Sequence, residues 1–307
     1  MDEGQDEITN DTVTLLVGPH RHLDSLRADQ ARLVRFTVQL FAPAKAISAE
    51  FPAMVRTQPY DYSEMAIATY FQARAAGHPL VLLPVVLLAR SQHDALVYSS
   101  AAGPVTVPDL PGTRIAIRSY SQTTGMWLRG MIDEGFGIAD AELTWLTTSP
   151  SHVPHVPDPA NATRISDGRR PVDLLRDGTA VAAVLGPEDE APDLACVFGD
   201  AAAADRRWIT EHGCIPINHV LVARDEPRVV ERAADVVELM KQAKADSRAS
   251  ETPERDAWLR GVGLDPWPQG LPAMLPALEL AYEYCRNQGL IDATSRLDDL
   301  LGPLAGL

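Results

Sequence analysis

The chain has 307 residues, enough for two domains or one large core, and with 46% hydrophobic and 22% charged residues it has an ordinary folded composition. Its net charge of −15 argues against a nucleic-acid partner, because phosphate binding needs clustered Lys and Arg and here they are scattered. Three cysteines, Cys196, Cys214 and Cys285, lie far apart without a Cys-x-x-Cys pair, which suits neither a disulfide framework nor a zinc site.

The start, MDEGQDEITND, is acidic and lacks the basic-then-apolar layout of an export signal, so a cytoplasmic protein is expected. TVTLLV from Thr12 and VRFTVQLF from Val34 read as strands, and SAEFPAMVRT as a short helix capped by Ser48. DYSEMAIATYFQARAAG reads as a longer helix, with Ser63 as its cap and Gly77 as its stop. PLVLLPVVLLA from Pro79 is about half a membrane span and holds an internal proline. It reads as a buried strand over Leu80–Val86, so no membrane partner is expected, and Ala95–Tyr98 reads as the next strand.

VPDLPGTRIAI looks like a fresh start, followed by a helix over 122–134 and a strand around Leu143–Leu146. TTSPSHVPHVPDPANATRISDGRRP is proline-rich and aperiodic, a loop long enough either to close over a site or to be disordered. VDLLRDGTAVAAVLG reads as a short helix leading into a strand; after CIPINHVLVARDEP the pattern is helical over 226–246, 253–260 and 272–288, with no internal repeat. The alternation predicts an α/β fold of two lobes, residues 1–98 with 219–307 and residues 99–218, with the ligand in the cleft between them.

The join RSYSQTTG is rich in hydroxyls and amides and free of carboxylates. Ser119, Ser121, Gln122, Thr123 and Thr124 surround a strand end and a helix start, where free backbone N–H groups attract anions. An ordinary Ser/Thr cap is the alternative.

Several stretches together resemble the 4,5-dihydroxyphthalate decarboxylases. YDYSEMAIATYFQARAAG is similar to the family's Asp-x-x-Glu-Met-x-x-x-x-Tyr segment through Asp61, Glu64, Met65 and Tyr70. DLPGTRIAIRSYSQTTGMWLRGMI matches its pattern through Tyr120, Thr123, Trp127, Arg129 and Gly130, and GCIPINHVLVARDE through Gly213, Pro216, Ile217 and His219. PWPQGLPAMLPALELAYEYCRNQGL resembles its Trp-Pro-x-Gly-Leu turn and closing helix. The resemblance covers about residues 12 to 291 and implies a fold like the type II periplasmic binding proteins, with cofactor-independent decarboxylation. In LLARSQHDA, His93 is kept, while Gln92 and Ala89 replace two arginines and Arg90 stands beside them; the serines of the family's Ser-x-Ser-Ser-Tyr are reduced to Thr69. These departures point to a different acid from dihydroxyphthalate.

Decarboxylating an electron-rich ring needs a proton at the carbon that carries the carboxylate, work suited to an imidazole. His93 and His219 are the candidate proton donors. Tyr120, Ser121, Gln122, Thr123, Thr124, Arg90, His20, Arg21 and His22 are candidate substrate contacts. No metal site is assigned, since the histidines lack an acidic partner at ligand spacing, although a divalent metal is left open. Trp127 and Tyr70 read as core, Glu64 as a helix-start acid, and His152 and His155 as incidental. The expected partner is a small carboxylate substrate, with a homo-oligomer left open. The competing readings are a cytoplasmic small-carboxylate sensor and another lyase, such as a dehydratase, on the same scaffold.

Overall fold

The computed structural model describes residues 12–28, 37–43, 46–247 and 254–307. The acidic start, the beginning of VRFTVQLF and residue 253 of the helical tail lie outside them. Among the described residues eleven strands form two sheets. They are β1 (Thr12–Leu16), β2 (Thr37–Phe41), β3 (Tyr62–Ala66), β4 (Leu80–Ala89), β5 (Leu96–Ser99), β6 (Arg114–Ile117), β7 (Thr144–Thr147), β8 (Ala162–Arg164), β9 (Ala182–Val184), β10 (Leu194–Cys196) and β11 (Ile217–Arg224).

The first sheet has the order β2-β1-β3-β11-β4, the second β10-β5-β9-β6-β7-β8. The chain leaves the first sheet after Ala89 and returns at Ile217. The crossover therefore comes before residue 96: Leu96–Ser99, expected at the end of the first lobe, pairs with β9 and β10 in the second sheet. β11 inserts antiparallel between β3 and β4, so the returning strand is held on both edges in the middle of the first sheet.

PLVLLPVVLLA is a strand, longer than expected at Leu80–Ala89 and buried along almost its whole length. Its alternation divides two cores, with Leu82 and Val86 facing one and Val81, Leu83, Val85 and Leu87 the other. Pro84 is tolerated because β4 is the edge of its sheet. DYSEMA, by contrast, is not the start of a helix. Residues 62–66 form β3 with all five residues buried, Ser63 caps nothing, and the helix runs only from Ile67 to Ala75. Burial on both faces removes the alternation that marks a strand, and Glu, Met and Ala favour helix, so tertiary pairing overrides propensity here. The helix after Ser48 starts at Phe51 with Glu50 at its cap.

One core runs through both lobes. The helices Ile67–Ala75, Thr123–Phe136 and Leu271–Asn287 pack together in it, with Gly130 against the Tyr284 ring, where an added Cβ would lie 2.3 Å from the ring carbons. Trp127 and Tyr70 are core residues, as expected, and Trp127 Nε1 donates to the Ile217 carbonyl at 2.9 Å. The helix Ala233–Ser247 covers the other face of the first sheet and Pro171–Arg176 that of the second. Among the described residues no helix is long and apolar enough to cross a membrane.

Candidate active site

A cleft of about 660 Å³ opens between the sheets. The first sheet contributes Ala66, Leu88, Asn218 and His219; the second lobe contributes Arg118, Ser121–Thr124, Thr148, Ser149 and the turn Gly186–Asp189. Its floor is polar where two elements start or end. The helix Thr123–Phe136 begins here with Gln122 at its N-cap making no side-chain capping bond, so the positive end of its dipole is left toward the cleft.

Glu64 is fully buried below His219, and the strand register explains their meeting. Glu64 pairs with Leu221 and Ala66 with His219, so Glu64 and His219 are diagonal neighbours on one face of the sheet. His219 Nδ1 lies 2.5 Å from Glu64 Oε1. His20 Nε2 lies 2.7 Å from Oε2, and the Gly18 amide donates to the same oxygen at 2.7 Å. Burial alone would raise the carboxyl's pKa, but the bonds from the two histidines hold it far below the usual range, so it is a carboxylate. A carboxylate only accepts, so each ring nitrogen facing it carries a hydrogen and His219 Nε2 is left for the cleft.

Phe51 stands between two imidazoles, its ring edge-on to His219 at 5.2 Å and to His152 at 5.7 Å. His152 Nδ1 is 3.0 Å from Thr69 Oγ1, and burial, with Arg118 and His219 nearby, lowers its pKa to about 4. Two guanidiniums face the same space. Arg90 donates to Thr124 Oγ1 at 2.9 Å, its Nε having no partner among the described residues, while Arg118 donates to Ser48 Oγ at 3.0 Å. Burial lowers the pKa of both, and among the described residues neither has a carboxylate within ion-pair distance. Glu188 acts on both guanidiniums and Asp94 on Arg90, but neither acid is within ion-pair distance, so two desolvated cations beside an open helix start favour an anion.

Over 183 residues the chain is 26% identical to the 4,5-dihydroxyphthalate decarboxylase of Comamonas testosteroni, a match covering 55% of each chain. Over 88 residues it is 28% identical to the 4,5-dihydroxyphthalate decarboxylase of Pseudomonas putida, covering 28% of this chain and 34% of that one. The chain is similar in sequence to these decarboxylases over those stretches. The matched stretches span about half the length of the first curated relative and a third of the second. No protein-family model matches. The fold is that of the periplasmic binding proteins. The sulfonate-binding protein SsuA of Methylobacillus flagellatus superposes with a TM-score of 0.56 at 12% identity, over 96% of this chain and 92% of that one. The alkanesulfonate-binding SsuA of Xanthomonas axonopodis pv. citri gives 0.51 at 15% identity, over 92% and 94%.

The expected site residues fall into two groups. His219, Arg90, Ser121, Gln122, Thr123 and Thr124 line the cleft together. His20 lies behind Glu64 and does not line it. Arg21 pairs with Asp256 and lies over Trp267, and His22 is buried with its ring stacked on Trp267 at 4.6 Å. Tyr120 points inward, its hydroxyl 2.7 Å from Asp140 and its ring beneath the Arg129 guanidinium. His93 sits at the crossover, its Nδ1 2.6 Å from Asp205 and its ring edge-on to Phe198. Three residues of the site were given no role in the sequence: Glu64, which lies buried behind the cleft wall, and Arg118 and His152, which line the cleft. A Glu leading straight into the apolar run Met65–Ala68 was the available signal for the first, since a buried carboxylate is almost always partnered. No group of three or more His, Cys, Asp and Glu among the described residues is arranged to hold a metal ion.

Proposed function

We propose that this chain is a decarboxylase of a hydroxylated aromatic, phthalate-like or similarly activated carboxylic acid, working without a cofactor and with His219 as the general acid. The reading is carried by one arrangement: an imidazole backed by a buried carboxylate shares a cleft with two arginines that, among the described residues, have no carboxylate within ion-pair distance. The relatives named decarboxylases support the reaction class.

The substrate carboxylate is gripped by Arg90 or Arg118 and the start of the helix Thr123–Phe136. A ring hydroxyl pushes electrons to the carbon bearing the carboxylate, and His219 Nε2–H delivers a proton to that carbon. The C–C bond then breaks, its electron pair restores the aromatic ring, and CO2 leaves. One proton is consumed and one C–H bond forms per CO2, and His219 takes a new proton from solvent when the cleft opens. Glu64 holds the imidazole in the orientation that directs Nε2 outward and stabilises its protonated form.

Incubating the purified chain with a panel of hydroxylated phthalates and benzoates, while measuring CO2 and ring product, tests this. Stoichiometric CO2 and protiated product are expected. Tight binding of an acid recovered unchanged would favour a receptor for small carboxylates and overturn the reading.

A further inference from the structure

We infer that His20 is a positioning residue: through the carboxylate it shares with His219, it sets how tightly His219 holds its proton. The kinetic part of this inference rests on the proposed role of His219; the proton coupling itself does not.

Glu64 receives three donors, from His219 on Oε1 and from His20 and the Gly18 amide on Oε2. The turn after β1 is shaped for this. The His20 amide donates back to the Gly18 carbonyl at 2.9 Å, and an added Cβ at Gly18 would lie 3.1 Å from both Glu64 Oε2 and His20 Nε2. A side chain at Gly18 would press on the carboxylate and on the His20 ring, which would have to give by a few tenths of an ångström. His20 is held outside the cleft, so it influences a bound acid only through Glu64.

A carboxylate devoted to one imidazole stabilises its protonated form strongly and makes it a reluctant acid. Two further donors on the other oxygen draw charge away and leave His219 readier to give its proton up. The other groups around this chain of contacts are few. His22, on the same turn, has its ring 5.5 Å from that of His20; Lys244, from the helix Ala233–Ser247, and Arg21 act on His22. His152, from the loop after β7, and Arg118 stand on the cleft side, and the helix Phe51–Arg56 presents the apolar Phe51 ring to His219.

The test compares His20→Leu, which removes the donor, with His20→Gln, whose amide restores an N–H near the position of Nε2. The His219 ring is followed by NMR against pH in the full chain without substrate, its signal assigned by its loss in His219→Gln. His20→Leu moves the His219 midpoint upward by about one pH unit, and His20→Gln returns it toward the unmodified chain. With a substrate, His20→Leu lowers kcat about tenfold, shifts the basic limb of kcat/KM upward and leaves KM unchanged. If His20→Leu fails to fold, His20→Asn, polar but too short to reach Glu64, carries the same comparison. A His219 midpoint that stays put in every folded variant overturns the inference, even if CO2 is released. A midpoint that moves while no acid is decarboxylated upholds the coupling and removes only the proposed reaction.

Discussion

Glu64 and His219 lie on adjacent antiparallel strands, diagonal to one another, and their side chains meet at 2.5 Å with the carboxylate wholly buried. The pair predicts the outcome of Glu64→Gln. The amide keeps the shape but loses the charge, and its NH2 faces one of the ring N–H groups that the carboxylate accepted. Turnover falls about 100-fold or more, with the circular dichroism of the folded chain retained. Unchanged turnover in the variant would remove Glu64 from the mechanism.

Arg90 and Arg118 predict the affinity for acids. Each is desolvated and lacks an ion-pair partner among the described residues, so a bound carboxylate supplies the missing charge. Arg90→Gln or Arg118→Gln weakens binding of a hydroxybenzoate, measured by calorimetry, by about 10- to 100-fold, as expected for a charge-assisted hydrogen bond. Arg90→Lys recovers only part of the loss, because an ammonium lacks the planar fork that holds Thr124 and an anion together. Equal affinities in all variants would place the acid elsewhere.

The parts of this architecture with a local signature were legible in the sequence. The apolar run of β4 and the hydroxyl-rich turn at 119–124 needed only composition and position to be recognised, and residues 121–124 of the turn line the cleft, while Tyr120 turns inward. β3 was misread because burial on both faces erased its period, and with it went the role of Glu64, which is a strand residue rather than a helix-start acid. His152 depends on a contact with Thr69 across 83 positions, which no local pattern announces. The helix Ala201–His212 went unnoticed although its signals were present: an Asp200 cap, an alanine run and Gly213 at its end.

His93 predicts a split between stability and turnover. Asp205 accepts from His93 Nδ1 and lies within reach of the Gln92 and His93 amides, while Gln92 Nε2 donates to Asn218 at 2.7 Å across the two crossover segments. This network ties the lobes at their crossing, and His93 does not line the cleft. His93→Phe therefore lowers unfolding free energy in urea by about 1–3 kcal/mol, the cost of leaving a buried acceptor short of a donor. Its kcat at a temperature where it stays folded is within a few-fold of the unmodified chain. A loss of about 100-fold in kcat with stability intact would restore His93 as a proton donor.

His22 predicts how stability responds to acid. Burial first, then the nearby His20, lowers its pKa to about 3 from an ordinary 6.5, so the folded chain keeps it neutral. Above pH 6.5 neither state binds the proton and its contribution to stability is complete. As pH falls below 6.5 the unfolded chain takes up a proton that the folded chain refuses until about pH 3, and stability is lost across that window. His22→Phe keeps the stacking on Trp267 and removes the titration. Urea unfolding followed by tryptophan fluorescence at pH 7 and at pH 5 reads the difference. Relative to the unmodified chain, the variant gains up to about 1.4 kcal/mol for each pH unit below 6.5. Parallel stability curves would mean that His22 is already protonated in the fold, which its buried Nε2, without a partner among the described residues, argues against.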